Sequence, residues 1–285
     1  MTERRPRAAA HSDRYRASSA LERFGGVVGR LIGDGWLRRV LRGGFRRVLA
    51  WRTGGGPRSV LPHGEVVRIA PEYRYLSWNP VEYEAFRAAL RPGDVALDVG
   101  ANVGAYTILF GLWTGQTGRV LAFEPAPEAY AGLRRHVELN RLAETVETLR
   151  MAVSDRVGEA EFVSLGSQGT NHLVGVDGGT AGVIRVPTTT IDTVCAERKL
   201  HPRVIKIDVE GAELSVLRGA RATIAGMAPD AGVFVEMHPA AWRTLGLSVD
   251  DIRRELATQG LRAVPLRDTD DPWTLDGECM RLARV

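Results

Sequence analysis

Lysine is nearly missing from this chain: only Lys199 and Lys206 occur among its 38 basic residues, and the rest are arginine. A GC-rich genome produces such a bias without chemical demand, so arginine abundance alone argues for no polyanionic partner. Cysteine is equally scarce. Cys195 and Cys279 are the only two, and neither sits in a Cys-x-x-Cys motif. That excludes a disulfide framework and points to a reducing, cytoplasmic setting. No run of 18 apolar residues is present, which excludes a helix of spanning length in this sequence. The basic N-terminus lacks the apolar stretch that a signal peptide needs. No internal repeat is visible, which excludes a solenoid or propeller.

What is present is ordinary for a globular protein: 285 residues, 44% hydrophobic and 25% charged. One domain of 200-odd residues with an appendage is the simplest reading. Charge marks the boundary. Residues 1–52 hold 13 arginines against Glu3, Asp13, Glu22 and Asp34, a balance of +9, and the remainder carries −5. We therefore divide the chain into a basic N-terminal extension, 1–56, and a body, 57–285. Residues 1–20 have almost nothing to bury and read as disordered. Trp36–Trp51 reads as a basic amphipathic helix, weakened at Gly43-Gly44. Such a segment packs on the body as a cover with its arginines in water; the alternative is a peripheral contact of residues 21–52 with an anionic membrane. Without a recognisable nucleic-acid motif, and with an acidic body, no nucleic-acid partner is expected.

From Pro80 onward, strand and helix patterns alternate. Helix Glu82–Leu90 is followed by strand Val95–Val99, helix Tyr106–Trp113, strand Val120–Phe123, helix Glu128–Asn140 and strand Val146–Val153. Glu161–Leu165 and Val183–Thr189 then read as an antiparallel excursion around a mobile loop, Gly166–Gly182. Helix Asp192–Lys199, with Asp192 as N-cap, restores the rhythm. Strand Val204–Val209, helix Ala212–Ile224 and strand Gly232–Met237 follow. A helix opened by Ser248 and Asp250 and a final hairpin (Leu261–Leu266, Cys279–Val285) close the chain. This alternation is that of a doubly wound, mostly parallel α/β sheet.

Ligands of such sheets bind beyond the carboxyl ends of the strands. There the chain places Asp98 with the turn Gly100–Gly104, Glu124, Ser154-Asp155, Lys206 to Glu213, and Glu236 with His238. Gly100 and Gly104 permit a tight turn and a close backbone approach. Their four-residue spacing departs from the Gly-x-Gly-x-x-Gly of dinucleotide folds, because Asn102 and Ala105 stand at the second and third positions. That disfavours a nicotinamide dehydrogenase. Glu124, 20 residues after Gly104, can accept two hydrogen bonds from a ribose diol. Lys206, Asp208 and Glu210 alternate on one face, and a Lys206–Glu236 contact is expected. His238 is the only histidine at a predicted strand end, so it is the candidate general base, with Glu210 the second choice and a capping or orienting role the alternative. Asp208, Glu236 and His238 have the chemistry of an Mg²⁺ site, but no spacing demands one and no metal is expected.

Five segments carry a resemblance: Asp-Val-Gly-Ala-Asn-Val-Gly (98–104), Phe-Glu-Pro (123–125), Ala-Val-Ser-Asp (152–155), Ile-Lys-Ile-Asp-Val-Glu-Gly-Ala-Glu (205–213) and Glu-Met-His-Pro (236–239). In this order they resemble the FkbM family of methyltransferases, from about Pro92 to Gly260. The resemblance implies a Rossmann-like class I methyltransferase sheet of order 3-2-1-4-5-7-6, the last strand antiparallel. It implies S-adenosylmethionine (SAM) as cofactor. Gly100, Asn102 and Gly104, beside Asp98, would then cradle its methionine part. Glu124 would take the ribose, Ser154 and Asp155 would lie near the adenine, and Asp208 near the sulfonium. The implied activity is O-methylation of a sugar, glycolipid or secondary metabolite. N-methylation of an amine and non-catalytic SAM binding are the alternatives. Asp208, Glu210 and His238 are the candidate catalytic residues, and Asn171 and His172 are candidate acceptor contacts.

Overall fold

In the computed structural model, residues 15–16, 55–74, 76–163, 172–173, 183–269 and 271–285 are described. The amphipathic helix expected over Trp36–Trp51, the rest of segment 21–52 with its expected membrane contact, and most of the Gly166–Gly182 loop, Asn171 included, lie outside them. Among the described residues no helix is long and apolar enough to cross a membrane.

Seven strands form the central sheet: β1 (Val95–Val99), β2 (Arg119–Phe123), β3 (Val146–Leu149), β4 (Val204–Ile207), β5 (Gly232–Met237), β6 (Leu261–Pro265) and β7 (Glu278–Arg284). Their spatial order is β3-β2-β1-β4-β5-β7-β6. β1 to β5 are mutually parallel, and β7 runs antiparallel to both β5 and β6. This is the order that the resemblance implies. Chain order reverses direction between β1 and β4, and the crevice outside that switch point is where doubly wound sheets bind ligands.

Alternation along the strands gives each face its own core. Ala96, Val120, Ala122, Val204 and Phe234 pack with Phe86 of α1 (Pro80–Ala89), Ile108 of α2 (Ala105–Thr114) and Leu133 of α3 (Pro127–Leu139). Leu97, Leu121, Ile205, Ile207 and Val235 pack on the other face. Their partners come from α4 (Ile191–Arg198), α5 (Glu213–Arg218), α6 (Arg221–Gly226), α7 (Pro239–Thr244) and α8 (Val249–Thr258). Burying strands on both faces explains their nearly unbroken apolar sequence.

The structure departs from the sequence expectations at particular places. The segment expected as one strand, Val146–Val153, divides: Ala152–Val153 leaves the main sheet and pairs in parallel with Thr188–Thr189. The helix expected over Ala212–Ile224 breaks into α5 and α6. At the break Gly219 lies so close to the Ser154 carbonyl that a Cβ would sit 2.1 Å from its oxygen. Thr190, not Asp192, caps α4. Asp192 instead accepts from the N–H groups of Ala222 and Thr223, at 3.0 and 2.7 Å, and so caps α6. Helix α7 has no counterpart in the sequence reading. Within the region read as disordered, Tyr15–Arg16 pairs with Ser77–Trp78, and the Tyr15 ring meets Tyr83 edge-on. The antiparallel excursion is present, as Gly158–Val163 against Val183–Thr189.

Candidate active site

The turn after β1 builds one side of a cleft. Gly100 has φ +80°, and a Cβ there would stand 1.7 Å from the carbonyl oxygen of Asp208. The close approach anticipated for a ligand is therefore made first to the β4 loop, which locks the ends of β1 and β4 together. Asn102 also adopts a left-handed φ, 49°. Its N–H donates to Glu124 Oε2 at 2.8 Å, while the other carboxylate oxygen accepts from Ala126 N–H at 2.8 Å. Burial pushes the Glu124 carboxyl up to about 7, against those two hydrogen bonds. Each oxygen keeps a lone pair for another donor. The Asn102 side-chain oxygen is buried and has no hydrogen-bond partner among the described residues.

The cleft with its open mouth encloses about 620 Å³ and is lined by Gly100, Asn102 and Glu124 on one side and Asp208, Glu210 and Ala212 on the other. Met151, Ala152, Val153 and Phe162 form an apolar wall. Four other candidates stand back from it. Asp98 is buried behind the turn, accepting from Thr107 Oγ1 at 2.5 Å. Gly104 begins α2 against Leu133. Ser154 is buried and Asp155 exposed, and neither side chain lines the cleft. The wall residues Met151 and Phe162 were missed by sequence reasoning, because apolar side chains at a ligand look like core side chains.

Beyond the ends of β4 and β5 a charged cluster assembles. Lys206, 4% exposed, donates to Asp208 Oδ2 at 3.0 Å and lies 5.3 Å from the centre of the Tyr106 ring. The direct ion pair is thus with Asp208, and Glu236 acts on Lys206 through its field. Burial opposes a charged lysine here, but Asp208, Asp98 and Glu236 outweigh it and hold Lys206 protonated. Burial likewise opposes ionisation of Asp208, and Lys206 with His238 overcomes it. Burial and Asp208 push Glu236 well above the usual carboxylate range.

His238 Nδ1 lies 2.8 Å from Glu213 Oε1. Glu213 is fully buried and also accepts from Gly211 N–H at 3.0 Å and Trp242 Nε1–H at 2.5 Å. The other ring nitrogen, Nε2, faces Glu210, Glu236 and Asp208 at 3.6, 3.8 and 3.9 Å. Burial favours a neutral ring, yet the hydrogen bond to Glu213 and the surrounding carboxylates raise His238 to about 9. Asp208, Glu210 and His238 are thus together, across the cleft from Asn102 and Glu124. Glu213 and Trp242 were not singled out from sequence, although Glu213 falls within one of the quoted segments.

A family model described as the methyltransferase FkbM domain matches residues 98–263. Hexuronic acid methyltransferase AglP of Haloferax volcanii is 31% identical over 129 residues, 44% of this chain and 49% of that protein. The 31-O-demethyl-FK506 methyltransferase FkbM of Streptomyces tacrolimicus is 32% identical over 160 residues, 46% of this chain and 60% of that protein. Methyltransferase sdnD of Sordaria araneosa is 28% identical over 162 residues, 46% and 62% of the two chains. The chain thus spans about half to three-fifths of the length of the curated relatives it matches. The match runs from the aspartate ahead of the glycine turn to the middle of β6, enclosing both sides of the cleft, and the chain belongs to the FkbM methyltransferase domain family.

Proposed function

We propose that this protein is a SAM-dependent O-methyltransferase acting on a hydroxyl of a sugar, glycolipid or secondary metabolite. One observation carries the reading: the cleft opposes a buried carboxyl group, Glu124, to a carboxylate–histidine cluster at the ends of β4 and β5. The names of two relatives, which specify hexuronic acid and 31-O-demethyl-FK506, support the acceptor class.

The residues fit the cofactor. Glu124 has a free lone pair on each oxygen for a ribose diol, and Asn102 offers an orphaned buried acceptor to the methionine end. Met151 and Phe162 give the adenine an apolar wall. A bound SAM supplies a methyl group already activated on a sulfonium, so much of the protein's task is positioning. Asp208 places negative charge at the cationic end. The acceptor hydroxyl enters beside Asp208, Glu210 and His238, and Nε2 of His238, freed of its own proton as pH rises toward about 9, is the atom placed to take the hydroxyl proton.

The test is methyl transfer from isotopically labelled SAM to a panel of hydroxylated glycans and polyketides, with S-adenosylhomocysteine (SAH) affinity measured by calorimetry. His238→Ala should cut turnover while leaving SAH affinity nearly unchanged. Unchanged turnover removes His238 from the base role, and failure to bind SAM or SAH removes the cofactor.

A further inference from the structure

The end of the sheet away from the cleft carries a second hollow, of the opposite charge. Helix α3 runs back from the carboxyl end of β2 and brings Leu139, Asn140 and Arg141 to the amino edge of the sheet. There they meet a hairpin, Arg58–Val60 against Val66–Arg68. The hollow between them encloses about 700 Å³ with its open mouth and is lined by Arg58, Val66, Arg68, Leu139, Asn140 and Arg141. No described acidic residue lines it, whereas the cleft has Glu124, Asp208 and Glu210.

Arg58 and Arg68 stand directly opposite each other across the antiparallel pair. Residues so placed share one face with Cβ atoms about 4.5–5.5 Å apart, and like charges there destabilise the pairing. Arg58 and Arg141 form no ion pair and no side-chain hydrogen bond among the described residues. Arg119, Arg203 and Arg221, by contrast, each meet a carboxylate. Arg141 also has φ 59° just beyond the end of α3, a position where glycine or asparagine is usual. The C-terminus of a helix favours one nearby cation. That explains neither the facing pair nor an arginine in a left-handed conformation.

Asn140 holds the two walls of the hollow together. Its Oδ1 accepts from Arg68 N–H at 2.8 Å, and its Nδ2 donates to the carbonyls of Arg68 and His136 at 2.9 and 2.8 Å. The backbones that carry Arg68 and Arg141 are thereby fixed to one another. A guanidinium fork matches two oxygens of a phosphate, and placing the forks in advance lowers the cost of binding. Leu139 and Val66, the latter 42% exposed, give an apolar wall to the rest of an esterified ligand.

We propose that Arg58, Arg68 and Arg141 bind the phosphoryl group of a phosphate monoester or diphosphate in the hollow between the hairpin and the end of α3. The site lies at the other end of the sheet from the cleft and does not rest on the methyl-transfer reading. A bound phosphoryl group turns the facing arginines from a repelling pair into a clamp.

The experiment titrates pyrophosphate into the full chain by calorimetry at constant ionic strength, beside Arg58→Gln and Arg141→Gly. One saturable site per chain is expected, and each variant should weaken it about tenfold or more, the worth of a charge-assisted contact. Neither variant should melt below wild type without ligand, because one relieves like-charge repulsion and the other suits a left-handed φ. Arg58→Lys, which keeps the charge and loses the fork, replaces Arg58→Gln if circular dichroism shows that variant misfolded. The same proteins are sedimented with vesicles of phosphatidylcholine alone and with phosphatidic acid added. Loss of pelleting on phosphatidic acid in both variants assigns the phosphoryl group to a lipid headgroup. Weakened pyrophosphate binding without that loss assigns it to a soluble ester. If neither pyrophosphate affinity nor pelleting differs between wild type and the folded variants, the proposal is overturned.

Discussion

Glu213 determines what His238 can do. The two meet at 2.8 Å across 25 positions of chain, and the glutamate has no exposed surface. Held in turn by Gly211 and Trp242, Glu213 anchors the ring through Nδ1, turns Nε2 toward Glu210, Glu236 and Asp208, and is the chief support that raises His238 to about 9.

Glu213→Gln should remove that support at little cost in volume and lower His238 from about 9. An amide can donate to Nδ1 and so move the ring proton to Nε2. Turnover is expected to fall about 10–100-fold, the range for loss of such a supporting partner. SAH affinity, measured by calorimetry, should stay close to wild type, since Glu124 lies across the cleft. Glu213→Ala should in addition lower stability by about 1–3 kcal/mol in urea denaturation, because buried donors lose their acceptor.

Cofactor affinity should depend on pH through Glu124. Its carboxyl is raised from an ordinary 4.5 to about 7, chiefly by burial. The ligand-free native chain therefore takes up this proton more readily than the unfolded chain. That contribution to stability is complete below pH 4.5 and is lost as pH rises through about 7. A ribose diol donates to the ionised form, so binding is linked to proton release. SAH affinity should rise as pH approaches 7 and level off above it. Calorimetry in buffers of different ionisation enthalpy should show the released proton, and Glu124→Gln should abolish both effects.

Gly100 and Gly104 should not be equivalent. Both have positive φ, but a Cβ at Gly100 meets the Asp208 carbonyl oxygen at 1.7 Å, whereas at Gly104 it meets the tip of Leu133 at 2.7 Å. Backbone cannot yield as a leucine methyl can. Gly100→Ala should cost about 3 kcal/mol or more, combining strain with a steric clash. Gly104→Ala should cost about 1–2 kcal/mol, mostly from its left-handed conformation. Comparing denaturation midpoints of the two variants checks the order.

Asp192→Ala should destabilise the chain by about 1 kcal/mol, the usual worth of a helix cap. It removes the carboxylate that serves Ala222 and Thr223 at the start of α6 and leaves the Thr190 cap of α4 intact. Thermal unfolding measures the shift. Thr190→Val should lower the midpoint by a similar amount, whereas a cap formed by Asp192 on its own helix would make the threonine change silent.

Local physics explains which elements were legible. β1 and β5 match their expected bounds, Val95–Val99 and Gly232–Met237, because a short apolar run ended by polar or glycine residues has few other solutions. Helix α7 escaped notice because its six residues, Pro239–Thr244, span under two turns and show no usable periodicity. Asp192 was given the wrong helix because a capping side chain is recognised by sequence position, while this one reaches 30 residues forward to another helix. The convergence of the polar strand ends was read correctly. Their partners were not, for Lys206 bonds Asp208 rather than Glu236.

By itself the sequence determined the α/β alternation, the tight turn at Gly100–Gly104 and the gathering of polar residues at the carboxyl ends of the strands. Each follows from side-chain periodicity and backbone sterics over a few residues. Only the tertiary structure decided which polar groups meet. β4 lies between β1 and β5, which brings Asp208 and Glu210 to His238 and sets Glu213 beneath the ring. Those contacts depend on strand order and side-chain direction, and spacing along the chain encodes neither.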